Sequence, residues 1–315
     1  MTVAWVVGSS GLLGSALHRA LQRMGTPLFT PVERFSWGNQ PELSVQLEAA
    51  VKAFAAAVAT GAGWQLYWAA GLGTMSGTEA ELALETQALS TLLRLIESEP
   101  TLVAAKGSFA FASSAGAIYA GATADIISEN TPVAPTTAYA REKIKQENLL
   151  SAFANSHCKV TALLARISTL YGPGQAMGKQ QGLLALIARR ILRNQPIQIY
   201  VPFDTIRDYI TADDAAAAII ASLRAINAQP GVFTKIIASE QAATIAEIIS
   251  IYKRVARRKP RIVTSASKLS DLYTRRIQFH SIAVPIDEQL PRTSLLVGIA
   301  QVMAAERSAF ARSRL

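Results

Sequence analysis

The sequence predicts an α/β fold of the doubly wound, Rossmann type, a parallel sheet with helices on both faces, joined to a smaller mixed α/β unit. Three observations carry this expectation. Val3-Ala4-Trp5-Val6-Val7 is an apolar run that passes directly into Gly8-Ser9-Ser10-Gly11-Leu12-Leu13-Gly14. A helical pattern then begins, with apolar residues at Ala16, Leu17, Ala20, Leu21 and Met24. From there single short strands alternate with helices of about 12 residues or more, the pattern of right-handed βαβ crossovers.

The opening stretch has the layout of a dinucleotide phosphate loop: strand, glycine turn, helix. Gly8 permits a tight turn, Gly11 lets the backbone approach a pyrophosphate, and Gly14 lets the helix sit close to the strand. The free N–H groups and positive end of that helix then face the phosphates. Gly8, Ser10, Gly11, Leu12, Leu13 and Gly14 are therefore candidate cofactor contacts. The spacing is G-x-x-G-x-x-G, not the commoner G-x-G-x-x-G.

Composition narrows the class. The chain has 315 residues, of which 50% are hydrophobic and 17% charged, so it is globular and not disordered. No apolar run reaches the roughly 18 residues of a membrane span, and no basic n-region or cleavage site precedes the first strand, so no signal peptide is expected. A single cysteine, Cys158, excludes an internal disulfide and fits a reducing cytoplasm. His18, His157 and His280 have no metal-ligand spacing, and no G-x-S-x-G elbow is present, so neither metal hydrolysis nor serine-hydrolase chemistry is supported. The net charge is +9, with Lys253, Arg254, Arg257, Arg258, Lys259 and Arg261 close together. These residues read best as the exposed C-terminal end of a helix that starts near Ile245 and stops at Pro260, since cations offset a helix dipole. A nucleic-acid role is disfavoured because no aromatic residues interleave them.

In chain order, residues 27–32 read as a second strand, with Glu33 and Arg34 just beyond it. An acidic residue there suits the ribose hydroxyls of NAD and an arginine the 2′-phosphate of NADP. Both are present, so the choice stays open, with Arg34 tilting it toward NADP. Residues 42–60 read as a helix and 64–68 as a strand. Ala69-Ala70-Gly71 follows, small enough for a flat ligand to pass the strand end. A long helix spans about 79–97, and the strand 108–112 ends in Ser113-Ser114. Tyr139 and Lys143 open a helix to about 155 and share one of its faces. Residues 159–168 read as a strand, and Tyr171-Gly172-Pro173-Gly174 is a sharp break. It divides a cofactor-binding unit, 1–172, from a mainly substrate-binding unit, 173–315, some of whose segments return to the first sheet. Beyond it come a helix over 182–193 and a strand over 197–200. An alanine-rich helix follows, capped by Asp213 or Asp214. A strand over 232–237 precedes a helix opened by a Thr244/Glu247 capping box, and a last helix starts near Ser294. Residues 262–290 resist assignment.

These residues together resemble the extended short-chain dehydrogenase/reductases, the NAD-dependent epimerase/dehydratase family that includes nucleotide-sugar epimerases. The resemblance covers most of the chain. It rests on the glycine loop, Ala69-Ala70-Gly71, Ser113-Ser114 leading to Tyr119, the Y-x-x-x-K pair Tyr139 and Lys143, Arg166 with Tyr171-Gly172-Pro173-Gly174-Gln175, and Arg207-Asp208-Tyr209-Ile210. It implies catalytic roles for Ser114, Tyr139 and Lys143. Ser113, Tyr139, Lys143, Arg166 and Ala69 to Gly71 would contact NAD or NADP, with Lys143 on the nicotinamide ribose. Ser114, Tyr119, Thr169 and Arg207 would contact a nucleotide-sugar, with Arg207 on its diphosphate. It also implies homodimers built from the helices over 79–97 and 139–155.

The physical chemistry of the pair agrees. A free tyrosine has a pKa near 10. The Lys143 ammonium and an oxidised nicotinamide ring would favour its phenolate, so that Tyr139 could take a proton from a sugar hydroxyl, or return one in reverse. Ser114 would steady the reacting oxygen.

Four departures matter. Counting back from Tyr119 lands on Ala115, so Ser114 is assigned as the catalytic serine with Ser113 as the alternative. No acid follows that serine, which disfavours dehydration. Glu85 stands where relatives often carry asparagine, and Ala138 where proline is frequent. The expected activity is therefore NAD(P)-dependent epimerisation or ketoreduction of a nucleotide-linked sugar. The alternative is a dinucleotide sensor that kept the fold and lost the chemistry.

Overall fold

The structure is a computed structural model that describes residues 1–59, 61–71, 77–175, 182–264, 276–285, 289–290 and 292–312. Strand β1 (Thr2–Val7) leads through the glycine loop into helix α1 (Leu12–Arg23). Then follow β2 (Leu28–Phe29), α2 (Gln40–Val58), β3 (Gly63–Trp68), α3 (Glu79–Glu97), the short α4 (Pro100–Ala104), β4 (Lys106–Ser114) and the single turn α5 (Ala115–Ile118). After β5 (Ile126–Ile127), helix α6 (Ala138–Ser156) connects to β6 (Val160–Ile167) and β7 (Thr169–Tyr171). The remainder is α7 (Leu183–Leu192), β8 (Ile197–Ile199), β9 (Ile206–Thr211), α8 (Ala212–Ile226), β10 (Gly231–Ile237), β11 (Ala242–Thr244), α9 (Ile245–Ala256), β12 (Ile262–Thr264), β13 (Gln278–Phe279) and α10 (Leu295–Arg312).

Six strands form one sheet in the order β10-β6-β4-β3-β1-β2, every pair parallel. The order starts at β1 and grows outward both ways, so the connections return on opposite faces. Strand residues alternate accordingly. Trp5 and Val7 face one side with Trp64, Leu66, Trp68, Phe109 and Phe111, and there meet α2, α3 and α6. Ala4 and Val6 face the other with Tyr67, Ala110 and Leu163, and there meet α1 and α8. The first face is rich in large rings, and on the second Ala215, Ala216, Ala16 and Ala20 let α8 and α1 lie close to the strands. A third core gathers α7, α9 and α10 around Tyr171, Tyr209 and Tyr252. Three short sheets accompany it: β11-β9-β7, β12-β8 and β13-β5.

Three local differences from the sequence reading have physical causes. β2 ends at Phe29, because Pro31 cannot donate to a ladder. Helix α8 is capped by Thr211, whose hydroxyl accepts from Asp214 N at 3.1 Å. The two aspartates expected to cap it tie it outward instead. Asp213 pairs with Arg19 of α1 at 2.8 Å, and Asp214 accepts from the amide and hydroxyl of Thr293 at 2.8 and 3.0 Å. Part of the unassigned stretch forms a strap. β13 pairs with β5, and the Glu129 carboxylate accepts from Ile236 N, Ser281 Oγ and Ile282 N at 2.7, 2.6 and 2.9 Å. Burial pushes the Glu129 carboxyl up, but these hydrogen bonds outweigh it and hold it below the usual carboxylate range.

Gly107 in β4 lies under the Trp64 ring, and a Cβ there would stand 2.1 Å from a ring carbon. Trp64 cannot step aside cheaply, since its indole N–H donates to Leu102 O at 2.9 Å. Gly107→Ala is therefore expected to destabilise the protein by about 1–3 kcal/mol, read as a lower urea midpoint with an unchanged slope.

Candidate active site

The C-terminal ends of β1, β3 and β4 lie side by side, and the candidate residues gather there. Gly8 takes φ +87°, a conformation that disfavours other residues, and a Cβ on it would stand 2.6 Å from Ala70 N. A Cβ at Gly14 would fall 2.0 Å from Gly8 O. Gly11 N donates to Gly8 O at 2.9 Å, and Gly11 caps α1 without any side-chain hydrogen bond. No acid stands in the first turn of α1. A cradle that any Cβ would fill, beside a helix start that offers only N–H donors, fits a dinucleotide pyrophosphate. Ser10 and Gly11 are exposed on this loop, and Leu12 is partly buried. The Leu13 side chain packs into the core between α1 and the sheet, so this residue presents only its backbone to the loop. Ala69 N donates to Val7 O at 2.9 Å, which holds Ala69 and Ala70 beside the loop, and Gly71 is exposed next to them. Glu33 and Arg34 are both exposed past β2.

Tyr139 stands at the start of α6. Thr137 caps that helix, accepting from Ala140 N at 3.1 Å. Tyr139 lies near Ser114, the last residue of β4, and the serine hydroxyl acts to lower its pKa. Lys143 Nζ lies 5.8 Å from the centre of the Tyr139 ring and 5.1 Å from that of Phe111, and donates to Gln146 Oε1 at 3.0 Å. Burial and the nearby Glu85 carboxylate push the Tyr139 phenol up to about 12, against the Ser114 hydroxyl, so it is protonated at neutral pH. Burial lowers the Lys143 pKa, and the charges of Glu85 and Glu147 oppose that.

The two serines separate cleanly. Ser113 is buried and its hydroxyl donates to Glu147 Oε1 at 2.6 Å, while Ser114 is the one that meets Tyr139. Arg166 and Tyr119 belong to the same buried network. Arg166 grips Glu147 in bidentate fashion, Nε to Oε1 at 3.0 Å and Nη2 to Oε2 at 2.7 Å, and donates from Nη1 to Tyr119 Oη at 2.5 Å. Tyr119 is fully buried and Arg166 is held in an internal ion pair. Thr169 is exposed at the start of β7, directly after β6. It is paired with Tyr209 of β9, whose strand carries Arg207. Arg207 and Asp208 thus lie in a strand and not in a turn. Asp208 is buried and accepts from Ser168 Oγ at 2.5 Å and Ser239 Oγ at 2.8 Å.

Sequence reasoning missed Glu147 and Gln146, which hold Ser113, Arg166 and Lys143. A signal was there: Tyr139, Lys143, Gln146, Glu147, Leu150 and Ala154 form one helical stripe, polar at its start and apolar at its end. It also left Glu85 unread. Glu85 Oε2 lies against Gly71, 3.3 Å from where a Cβ would stand. Its neighbour Thr86 donates to Glu142 Oε2 at 2.7 Å and accepts from Gln146 at 3.1 Å, which ties α3 to α6.

The sequence model of the NAD dependent epimerase/dehydratase family matches residues 4–234. A dTDP-L-rhamnose 4-epimerase of Burkholderia thailandensis is 32% identical over 96 residues, 30% of this chain and 26% of that protein. A dTDP-4-dehydro-6-deoxyglucose reductase of Escherichia coli is 32% identical over 113 residues, 36% of this chain and 35% of that protein. The chain thus spans about a third or less of these curated relatives in the aligned stretch. Among solved structures, the fold is shared with a Thermus thermophilus UDP-glucose 4-epimerase in complex with NAD. Its TM-score is 0.75 at 19% identity, over 98% of this chain and 100% of that one. RMD from Pseudomonas aeruginosa complexed with NADPH gives the same TM-score, identity and coverage.

Two outcomes follow from this geometry. Glu85→Gln removes the anion that raises the Tyr139 phenol, so Tyr139 should ionise at lower pH. Tyrosinate difference absorbance, with Tyr139→Phe as the reference, reads this; an unmoved titration would contradict it. Arg166→Ala leaves Glu147 buried without its cation and should cost about 3–5 kcal/mol in urea unfolding, much of it recovered when Glu147 is made Leu as well.

Proposed function

Because the chain belongs to the NAD dependent epimerase/dehydratase family, we propose that it is an NAD(P)-dependent epimerase or ketoreductase acting on a nucleotide-linked sugar. One observation carries this reading: Ser114, Tyr139 and Lys143 come together at the C-terminal end of β4, two strands from β1, which leads into the glycine loop. A nicotinamide dinucleotide, when bound, supplies the two-electron acceptor and donor. The loop of Gly8, Gly11 and Gly14 and the start of α1 hold its pyrophosphate, and Ala69 to Gly71 leave room beside it. Glu33 and Arg34 meet its adenosine end, with Arg34 the better match to a 2′-phosphate.

Tyr139 is the proton carrier. Burial and Glu85 keep it a phenol, which is the donor that reduction of a sugar ketone needs. Acting as base, as epimerisation also requires, calls for more positive charge near its oxygen, from the Lys143 ammonium and an oxidised ring. Ser114 donates to or accepts from the same reacting oxygen and so fixes its place between the two hydroxyls. Glu147 withdraws Ser113 from this task, which favours Ser114 as the working serine. Arg207 on β9 is assigned to the diphosphate of the substrate, where a planar guanidinium suits bidentate contact. Residues 173–315 hold most of that substrate, apart from the segment that returns as β10. The contact between Ser114 and Tyr139 speaks against a sensor that has lost its chemistry. A homodimer through α3 and α6, and a reducing cytoplasm for the free thiol of Cys158, complete the proposal.

Tyr139→Phe should lower turnover by about 10²–10⁴-fold while leaving the cofactor's binding affinity near that of the unaltered protein. Near-normal turnover on a sugar nucleotide found by thermal-shift screening would falsify the mechanism. Mass spectrometry of ligand released from purified protein separates the two activities. NAD that stays bound through purification identifies an epimerase, and exchangeable NADPH a reductase.

A further inference from the structure

The cations of residues 253–261 read from sequence as the end of a helix, but α9 stops at Ala256. Arg257 takes the left-handed φ of +51°, and the chain leaves the helix there. Only Lys253 and Arg254 lie in the last turn. Arg257 caps the helix, and Arg258, Lys259 and Arg261 lie in the segment that leaves it. A helix end thus accounts for only part of the cluster.

The fold adds to it. β12 begins at Ile262 and runs parallel to β8, with Ile197 paired to Ile262 and Ile197 N donating to Arg261 O at 2.7 Å. β8 follows α7, so the C-terminal ends of α7 and α9 are held together. The end of α7 brings Arg190 and Arg193, both exposed. The stretches 189–203 and 251–264 contain no acidic residue. Glu306 of α10, beside α7, is occupied by Arg189 at 2.9 Å. Among the described residues, none of these eight exposed cations forms an ion pair. On the β12-β8 ribbon beside them Val263 is 47% exposed, and Tyr200, just past β8, is 46% exposed.

We propose that this face, the joined ends of α7 and α9 with the β12-β8 ribbon, docks on an anionic lipid surface. The arrangement of the charges chooses this partner over nucleic acid. The cations sit at helix ends and in the segment that follows α9, not along one helix face that could enter a groove, and no aromatic residues alternate with them as a stacking platform. Cations flanking an exposed aliphatic side chain supply the two weak signals, electrostatic and apolar, that together hold a protein at a charged membrane. No helix among the described residues is long and apolar enough to cross one, so the contact is peripheral. Guanidinium groups, which dominate the cluster, pair with phosphate in bidentate fashion.

The test is co-sedimentation of the full chain with vesicles of phosphatidylcholine, with and without phosphatidylglycerol, at low and high salt. Retention is expected only on the anionic vesicles, and it should weaken as salt rises. Reversing Arg257→Glu with Arg258→Glu should weaken it by about tenfold or more. Arg23→Glu with Lys106→Glu changes net charge equally at sites outside this face and should leave retention unchanged. Thermal melts by circular dichroism confirm that each variant folds. Absence of retention, equal retention on both vesicle types, equal loss in the two variants, or displacement from vesicles by a duplex or single-stranded oligonucleotide in preference would each overturn the proposal.

Discussion

The buried pairing of Glu147 with Arg166 is the contact on which the candidate site depends. Glu147 comes from α6, Arg166 from β6, and Ser113, bonded to the same carboxylate, from β4. One carboxylate therefore ties the helix that carries Tyr139 and Lys143 to the strand that ends in Ser114. Such a pair adds little net stability, because taking two charges out of water costs about what their attraction returns. What it does supply is register. A turn of α6 in either direction would bury Glu147 against apolar side chains, so the relative placement of Tyr139 and Ser114 is fixed by the penalty for losing it. Tyr119 completes the arrangement by occupying the remaining guanidinium nitrogen.

Around that contact the sheet divides its labour between faces. The face of large rings fixes α3 and α6, and with them Glu85 and Tyr139, through Phe109, Phe111 and the tryptophans. The alanine face lets α1 approach closely, which brings the start of that helix and Gly14 up against Gly8. Packing on both faces of the sheet fixes the helices that carry the candidate residues.

Much of this is legible in the sequence because its signals are local. The glycine loop, the Tyr139–Lys143 spacing, the capping box at Thr244 and most strand and helix spans depend on neighbours within a few residues. What escapes is set by distant partners. Arg166 finds Glu147 and Tyr119 across 19 and 47 positions. The capping of α8 by Thr211 was lost for a related reason: Asp213 and Asp214 are better caps in isolation, but Arg19 and Thr293 claim them. The basic cluster was read as a helix end because sequence cannot show where α9 stops or that α7 ends alongside it.

The strap held by Glu129 has a consequence for how the chain acquires its shape. Its carboxylate joins residues 107 and 152 or more positions away, and β10 completes the sheet only after β6 has waited through two intervening helices. During synthesis, which proceeds from the N-terminus, five strands can assemble around α1, α2, α3 and α6 while β6 is still an open edge. The closing contacts, 107 to 153 positions apart in sequence, carry a large loop-closure entropy and are expected to form late. The molecule therefore passes through a state with its cofactor loop already formed and one side of its sheet unguarded, and that interval is where aggregation competes most strongly with folding.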